Sequence, residues 1–395
     1  MRLLCVSNGH GEDVIGVKIL QMLRQLAPQL VLGAMPIVGA GRAYSQAGFT
    51  IVGPTKQMPS GGFIYMDGSQ LARDLQGGLV QLTRSQLRAI GEWLGPDDRL
   101  LAVGDIVPLV FGWLSRRPYG FVGTAKSEYY LWDGEGSYQG ASGLPGWLDL
   151  QRTCVYLPWE RWLMARSRCV FPRDRLTCER LRRWNIPVYE AGNPMMDGFE
   201  VPATTPEPTA PLEVLLLPGS RPPEAYENWQ LLLAAAASVE QPAVFLAALA
   251  PALEQPALVS CLAAQGWLPE GDGYRRGQSR LVLGVKAFKD YAQRASVAIA
   301  TAGTATEQFV GLGKPVVTLP GPGPQFTYAF AEAQSRHLGP SIRLVAKPAE
   351  VGAAITEILS SPPRQHRIYK NGLERMGPPG AGQRIAKILL ETLLV

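Results

Sequence analysis

The chain has 395 residues, 46% of them apolar and 18% charged, with 33 prolines and a net charge of +5. That is more than one ordinary core takes up, so two domains of about 200 residues each are expected, and the composition excludes a disordered or fibrous chain. The modest, dispersed positive charge suits an anionic ligand or an acidic membrane surface; it is too weak for nucleic acid, and neither an aromatic-glycine RNA motif nor zinc-finger spacing occurs.

In chain order, Met1-Arg2 runs directly into an apolar strand at 3–6 and a glycine turn, which leaves no signal peptide to be expected. A helix over about 14–26 follows, with Ile15, Ile19, Leu20 and Leu23 on one face. Further apolar runs at 30–33, 100–103, 119–122 and 169–171 alternate with helical patterns, which implies a mostly parallel, doubly wound α/β sheet. Residues 204–211 (Thr-Thr-Pro-Glu-Pro-Thr-Ala-Pro) read as an interdomain linker and hinge. The alternation then resumes at 214–217, 243–249, 281–285, 297–300 and 316–319. The expected division is 1–203, linker 204–211, 212–380, and a final helix at 381–395 returning to the first domain. Five scattered cysteines (Cys5, Cys154, Cys169, Cys178, Cys261) form no C-x-x-C pair and suit a reducing cytosol. The longest apolar stretch, near 231–253, is broken by Glu240, Gln241 and Pro242 and does not read as a membrane span.

Three glycine turns carry the chemistry. Ser7-Asn8-Gly9-His10-Gly11-Glu12-Asp13 follows the first strand. Leu217-Pro218-Gly219-Ser220-Arg221 follows the strand at 214–217 and adds a fixed positive charge to a hydroxyl. Ala302-Gly303-Thr304-Ala305-Thr306-Glu307-Gln308 follows the strand at 297–300 and opens an amphipathic helix. Strand, glycine turn and helix N-terminus together make a diphosphate site.

These motifs resemble those of GT-B glycosyltransferases, most closely lipid-A-disaccharide synthase, and more thinly the MurG-type N-acetylglucosaminyltransferase and the non-hydrolysing UDP-N-acetylglucosamine 2-epimerases. The N-terminal turn ends in Asp13 with Gly16 three residues on, Asn193-Pro194-Met195-Met196-Asp197 is similar to a G-N-P-x-x-D element, Leu217 to Arg221 matches L-P-G-S-R, and Gly303 to Thr306 matches S-G-T-A-T without its serine. The family's ribose-binding glutamate is replaced by Gln308, with Glu307 one residue earlier. The resemblance implies two Rossmann-like domains facing a central cleft, a nucleotide-diphospho-sugar donor, UDP-linked, in the C-terminal domain, and a lipid or lipid-linked acceptor in the N-terminal one. It implies inverting transfer with no metal and no cofactor, in the cytoplasm or on the inner membrane face. Epimerisation of the same donor, or silent nucleotide-sugar binding, stays open as an alternative.

Residue by residue, Asp13 or His10 is the candidate base, with a helix cap as the alternative for Asp13. Glu12 reads as an outward carboxylate at the helix start. Gly219, Ser220, Arg221, Gly303, Thr304, Thr306, Glu307 and Gln308 are donor-side candidates, against an ordinary strand-to-helix turn, and Gln325 a donor-sugar contact in the loop 321–327. Gly9, Gly11, Asp105 and Asn193 are assigned to the acceptor side, with helix capping the alternative for Asp105. Arg-rich aromatic stretches at 111–117 and 159–168 suit either a membrane-facing patch or a core edged with arginines.

Overall fold

A computed structural model describes residues 1–9, 11–56, 79–132 and 154–395. They form two compact units. The first comprises described residues of 1–128, then 154–197 and Pro379–Val395; the second comprises 129–132 and Gly198–Pro378.

The sheet of the first unit runs in the order β3-β2-β1-β4-β5-β6, all parallel. Its strands are β1 (Arg2–Ser7), β2 (Val31–Pro36), β3 (Thr50–Ile51), β4 (Arg99–Gly104), β5 (Tyr119–Gly123) and β6 (Cys169–Phe171). The doubly wound class expected from the alternating runs is what forms. Side chains alternate across the sheet, so one apolar run serves two cores. Leu4, Val6, Leu100, Ala102 and Phe121 pack on one face. Leu3, Cys5, Leu101, Val103 and Val122 pack on the other, against the helix Gly11–Leu26 and the last helix, Ala381–Thr392. That last helix is fixed to the first unit by Asp197, whose carboxylate accepts from the amides of Gly380 (2.7 Å), Ala381 (2.9 Å) and Gly382 (2.8 Å). Lys18 donates to the carbonyl of Pro194 (2.7 Å) in the turn just before Asp197.

The second unit orders its strands β14-β13-β12-β7-β8-β11-β10-β9. These are β7 (Leu212–Leu217), β8 (Ala243–Leu249), β9 (Leu268–Glu270), β10 (Gly273–Arg276), β11 (Ser279–Val285), β12 (Val297–Ala300), β13 (Val316–Thr318) and β14 (Ile342–Leu344). All pairings are parallel except β9-β10 and β10-β11, an antiparallel extension that the polar run 270–280 did not signal.

The proline-rich segment 204–211 lies along the second unit. Thr205 Oγ1 and His366 Nδ1 share a 3.0 Å hydrogen bond, and the Thr209 amide donates to Ser296 Oγ (2.9 Å). Just upstream, Tyr369 donates to the Pro202 carbonyl (2.9 Å). Prolines remove amide donors from this stretch; the Thr205 side chain and the remaining Thr209 amide supply the attachment.

Candidate functional site

In the second unit the chain goes outward from β7 to β8 and on to the edge strand β9, comes back through β10 and β11, and crosses to the other side of β7 as β12. The carboxyl ends of β7 and β12 are therefore neighbours at a topological switch point, where open α/β sheets bind ligands. Leu217 pairs with Ala300, and the Thr301 amide donates to the Leu217 carbonyl (2.9 Å). Both glycine turns, Gly219-Ser220-Arg221 and Gly303-Thr304, leave from this point. Gly219 sits at φ +93°, in the region that favours glycine. Its Cα faces the Thr301 carbonyl, which a Cβ would meet at 3.5 Å.

The helix Thr304–Gly311 begins at Gly303 with no side-chain cap, so its first amides have no capping acceptor. Ser220 and Thr304 are exposed at the two turns, whereas Thr306 is buried and donates back to the Ala302 carbonyl (2.6 Å). Thr306 thus holds the turn from inside. Arg221 Nη1 donates to Gln325 Oε1 (3.1 Å), which brings together two residues assigned to the donor side 104 positions apart. Glu224 pins the same loop by accepting from the amides of Gln325 (3.1 Å) and Phe326 (2.6 Å). Glu307 lies 3.8 Å from Nε2 of the buried His337, whose ring stacks on Tyr130. Gln308 follows on the half-buried side of the same helix.

The first unit has its own switch point, where β1 and β4 are adjacent and lead to opposite sides. Gly9 takes φ +121° because its Cα packs on the backbone of Val38. Asn8 accepts from the Asp105 amide (3.0 Å), and Asp105 caps the helix Ile106–Leu114 through the Val107 amide (2.8 Å). Gly11 opens the first helix with clear space around its Cα. His10 lies outside the described residues.

Asp13 is 3% exposed and accepts from Ser7 Oγ (2.6 Å), which in turn accepts from Tyr44 (2.8 Å). It belongs to a buried network under the helix start. Glu12, expected to point outward, is instead half-buried and accepts from the Thr124 hydroxyl (3.2 Å). Burial pushes its carboxyl up to about 7, helped by the negative charge of Asp105 and opposed by the Thr124 bond. Asp105 is shifted upward too, by burial first. Lys126, paired with the buried Glu160 (2.6 Å), and Arg173, which donates to the Thr124 carbonyl (2.9 Å), stand at the ends of β5 and β6. The sequence did contain a signal for this orientation: Asp13, Gly16, Leu20 and Leu23 form one helical stripe, so Asp13 faces inward and Glu12 lies about 100° round. Asn193 is 5% exposed, and its Oδ1 caps its own turn by accepting from the Met195 amide (3.0 Å) on the approach to Asp197.

On the first unit, Trp113, Leu114, Leu157, Trp159 and Trp162 are all exposed. Trp113 and Trp162 meet edge to face at 5.7 Å, and the Arg166 guanidinium lies 3.4 Å over the Trp162 ring. Arg116 and Arg168 are exposed in the same stretches. Among the described residues no helix is long and apolar enough to cross a membrane.

No protein-family model and no curated protein matches the chain in sequence. Solved structures match in fold. The calicheamicin glycosyltransferase CalG4 superposes with a TM-score of 0.61 at 16% identity, covering 99% of this chain and 97% of that one. MurG from Acinetobacter baumannii gives 0.57 at 12%, covering 99% of each. UDP-GlcNAc 2-epimerase from Neisseria meningitidis, solved with UDP-GlcNAc bound, gives 0.54 at 13%, covering 99% and 100%. The fold is GT-B, as expected, over the whole chain. None of these three is a lipid-A-disaccharide synthase.

Because the Glu12 carboxyl ionises near 7 in the folded chain and near 4.5 when unfolded, its ionisation opposes folding. Stability should therefore fall as pH rises from 4.5 to 7, by up to about 3 kcal/mol from this group. In urea titrations at pH 5 and pH 8, Glu12→Gln should flatten that difference; an unchanged difference would show that Glu12 ionises normally.

Proposed function

We propose that the protein is a glycosyltransferase, related to lipid-A-disaccharide synthase, that moves a sugar from a UDP-linked donor to a lipid or lipid-linked acceptor with inversion and without a metal cofactor. The observation that carries this is the pair of glycine turns at the adjacent ends of β7 and β12, one of them opening an uncapped helix, with Arg221 and Gln325 beside them. Amides and a guanidinium converging there suit a diphosphate, whose charge grows as the sugar leaves. In this reading Gln325 contacts the sugar, and Gln308 or Glu307 the ribose hydroxyls. Sugar transferases and nucleotide-sugar epimerases among the fold neighbours support such a donor.

In the chemistry proposed, the acceptor hydroxyl gives its proton to a base as its oxygen bonds to the anomeric carbon. The bond from that carbon to the diphosphate oxygen breaks, and Arg221 and the turn amides take up the negative charge. Glu12 is the described residue best suited as base, since a carboxyl titrating near 7 both accepts a proton and is ionised at working pH. His10 is the other candidate. Asp13, tied to Ser7 and Tyr44, is better suited to holding the helix start. The exposed tryptophan and arginine patch supports a lipid acceptor, since rings and guanidinium groups settle together at an anionic interface. Epimerisation of the same donor is the second reading, favoured by the epimerases among the neighbours.

A ligand that binds only the folded state raises the melting temperature. A thermal-shift panel of UDP, GDP, ADP, dTDP and their sugar conjugates should show a selective shift with the UDP compounds, lost in Arg221→Ala. A flat panel would remove the donor site, and conversion of the donor without acceptor would favour the epimerase. Glu12→Gln should lower kcat about a hundredfold or more; near-normal turnover in that variant, with loss in His10→Asn, would move the base to His10. Vesicles rich in phosphatidylglycerol should retain the protein in sedimentation and release the Trp113→Ser/Trp162→Ser variant. Equal retention of both would take the membrane role from this patch.

A further inference from the structure

Two buried carboxamides grip the two donor turns from behind. Asn228, in the helix Glu224–Ala236, is 2% exposed and its Nδ2 donates to the Pro218 carbonyl (3.2 Å), immediately before Gly219. Gln334, in the helix Tyr328–Leu338, is 4% exposed and its Nε2 donates to the carbonyls of both Ala302 and Gly303 (3.2 Å each). In each case the other end of the amide, Asn228 Oδ1 and Gln334 Oε1, is buried and finds no hydrogen-bond partner among the described residues. The orientation is fixed by chemistry: reversing either group would set its oxygen against backbone carbonyl oxygens, two of them for Gln334. Gly321 leaves room for it, since a Cβ there would strike Asn228 Oδ1.

A trans peptide is planar, so its carbonyl and the next amide point in opposite directions. Drawing the carbonyls of Pro218, Ala302 and Gly303 back into the unit turns the amides of Gly219, Gly303 and Thr304 the other way. No backbone carbonyl among the described residues accepts from these three amides. Leaving a buried acceptor unsatisfied in each side chain is costly, and nothing in strand or helix formation requires it.

We infer that Asn228 and Gln334 are positioning residues, which aim the amides of Gly219, Gly303 and Thr304 at the diphosphate of the nucleotide; this rests on the donor site proposed above. Neither side chain need touch the ligand. The two braces act on separate turns, so either can be removed alone.

The test is isothermal titration of the full chain with UDP, inorganic pyrophosphate and uridine, in wild type, Gln334→Met and Asn228→Leu. Methionine and leucine keep bulk but cannot donate to a carbonyl; Gln334→Glu, an isosteric acceptor, serves as a second variant should Asn228→Leu fold poorly. Binding of UDP and pyrophosphate should weaken about tenfold or more in each variant, while uridine affinity stays within about twofold. A general loosening of the unit would weaken uridine equally and overturn the inference. So would unchanged UDP affinity in variants that melt as the wild type does. A wild-type protein that binds neither UDP nor pyrophosphate would overturn the donor-site reading itself, and the bracing with it.

Discussion

The arrangement depends on one topological constraint, the adjacency of two parallel strands whose connections leave in opposite directions. A helix returning from a strand covers one face of the sheet and carries the chain aside. Where neighbouring strands send their chains to opposite sides, the space beyond their carboxyl ends is left open, and backbone amides line it. β7 and β12 meet this condition in the second unit, β1 and β4 in the first. Glycine at 9 and 219 follows from the same sharp turning, since both take a positive φ, and at Gly9 the Val38 backbone also passes too close for a Cβ.

Within the first unit, burial decides which of two consecutive carboxylates is suited to proton transfer. Asp13 faces the core and is satisfied by a hydroxyl pair, so its environment is a closed network. Glu12 is shielded from water, accepts from its own backbone amide and from Thr124, and faces a like charge in Asp105. A residue of common type thus acquires an unusual proton affinity from burial first, then from the negative charges of Asp105 after β4 and Asp13 in its own helix.

The apolar runs were legible because a strand covered on both faces must be apolar at every position. Thus 169–171, 243–249 and 297–300 match β6, β8 and β12, and the three glycine turns lie at the ends of β1, β7 and β12. Glu12 reads as outward from its place at the helix start, although the stripe of Asp13, Gly16, Leu20 and Leu23 already sets the rotation of that helix. Thr306 read as a ligand contact because its type fits one, yet its hydroxyl satisfies its own helix. Asn228 and Gln334 carry no sequence motif because they act 10 and 32 residues from the carbonyls they hold. A polar residue on an otherwise apolar helical stripe was their only trace: Asn228 lies among Ala225, Trp229 and Leu232, and Gln334 between Ala331 and Leu338. Lys126 and Arg173 follow strands without a glycine turn and left no motif.

The Asp197 carboxylate also joins the place where the chain leaves the first unit to the place where it comes back. Residues 198–378 are therefore a closed excursion, apart from the short visit at 129–132, and both of its ends are held at one side chain. Changes in length or sequence within that excursion leave the register of the first sheet and its carboxylates untouched. In evolutionary terms such an excursion can behave as a cassette, its sequence free to change while the first unit keeps its frame.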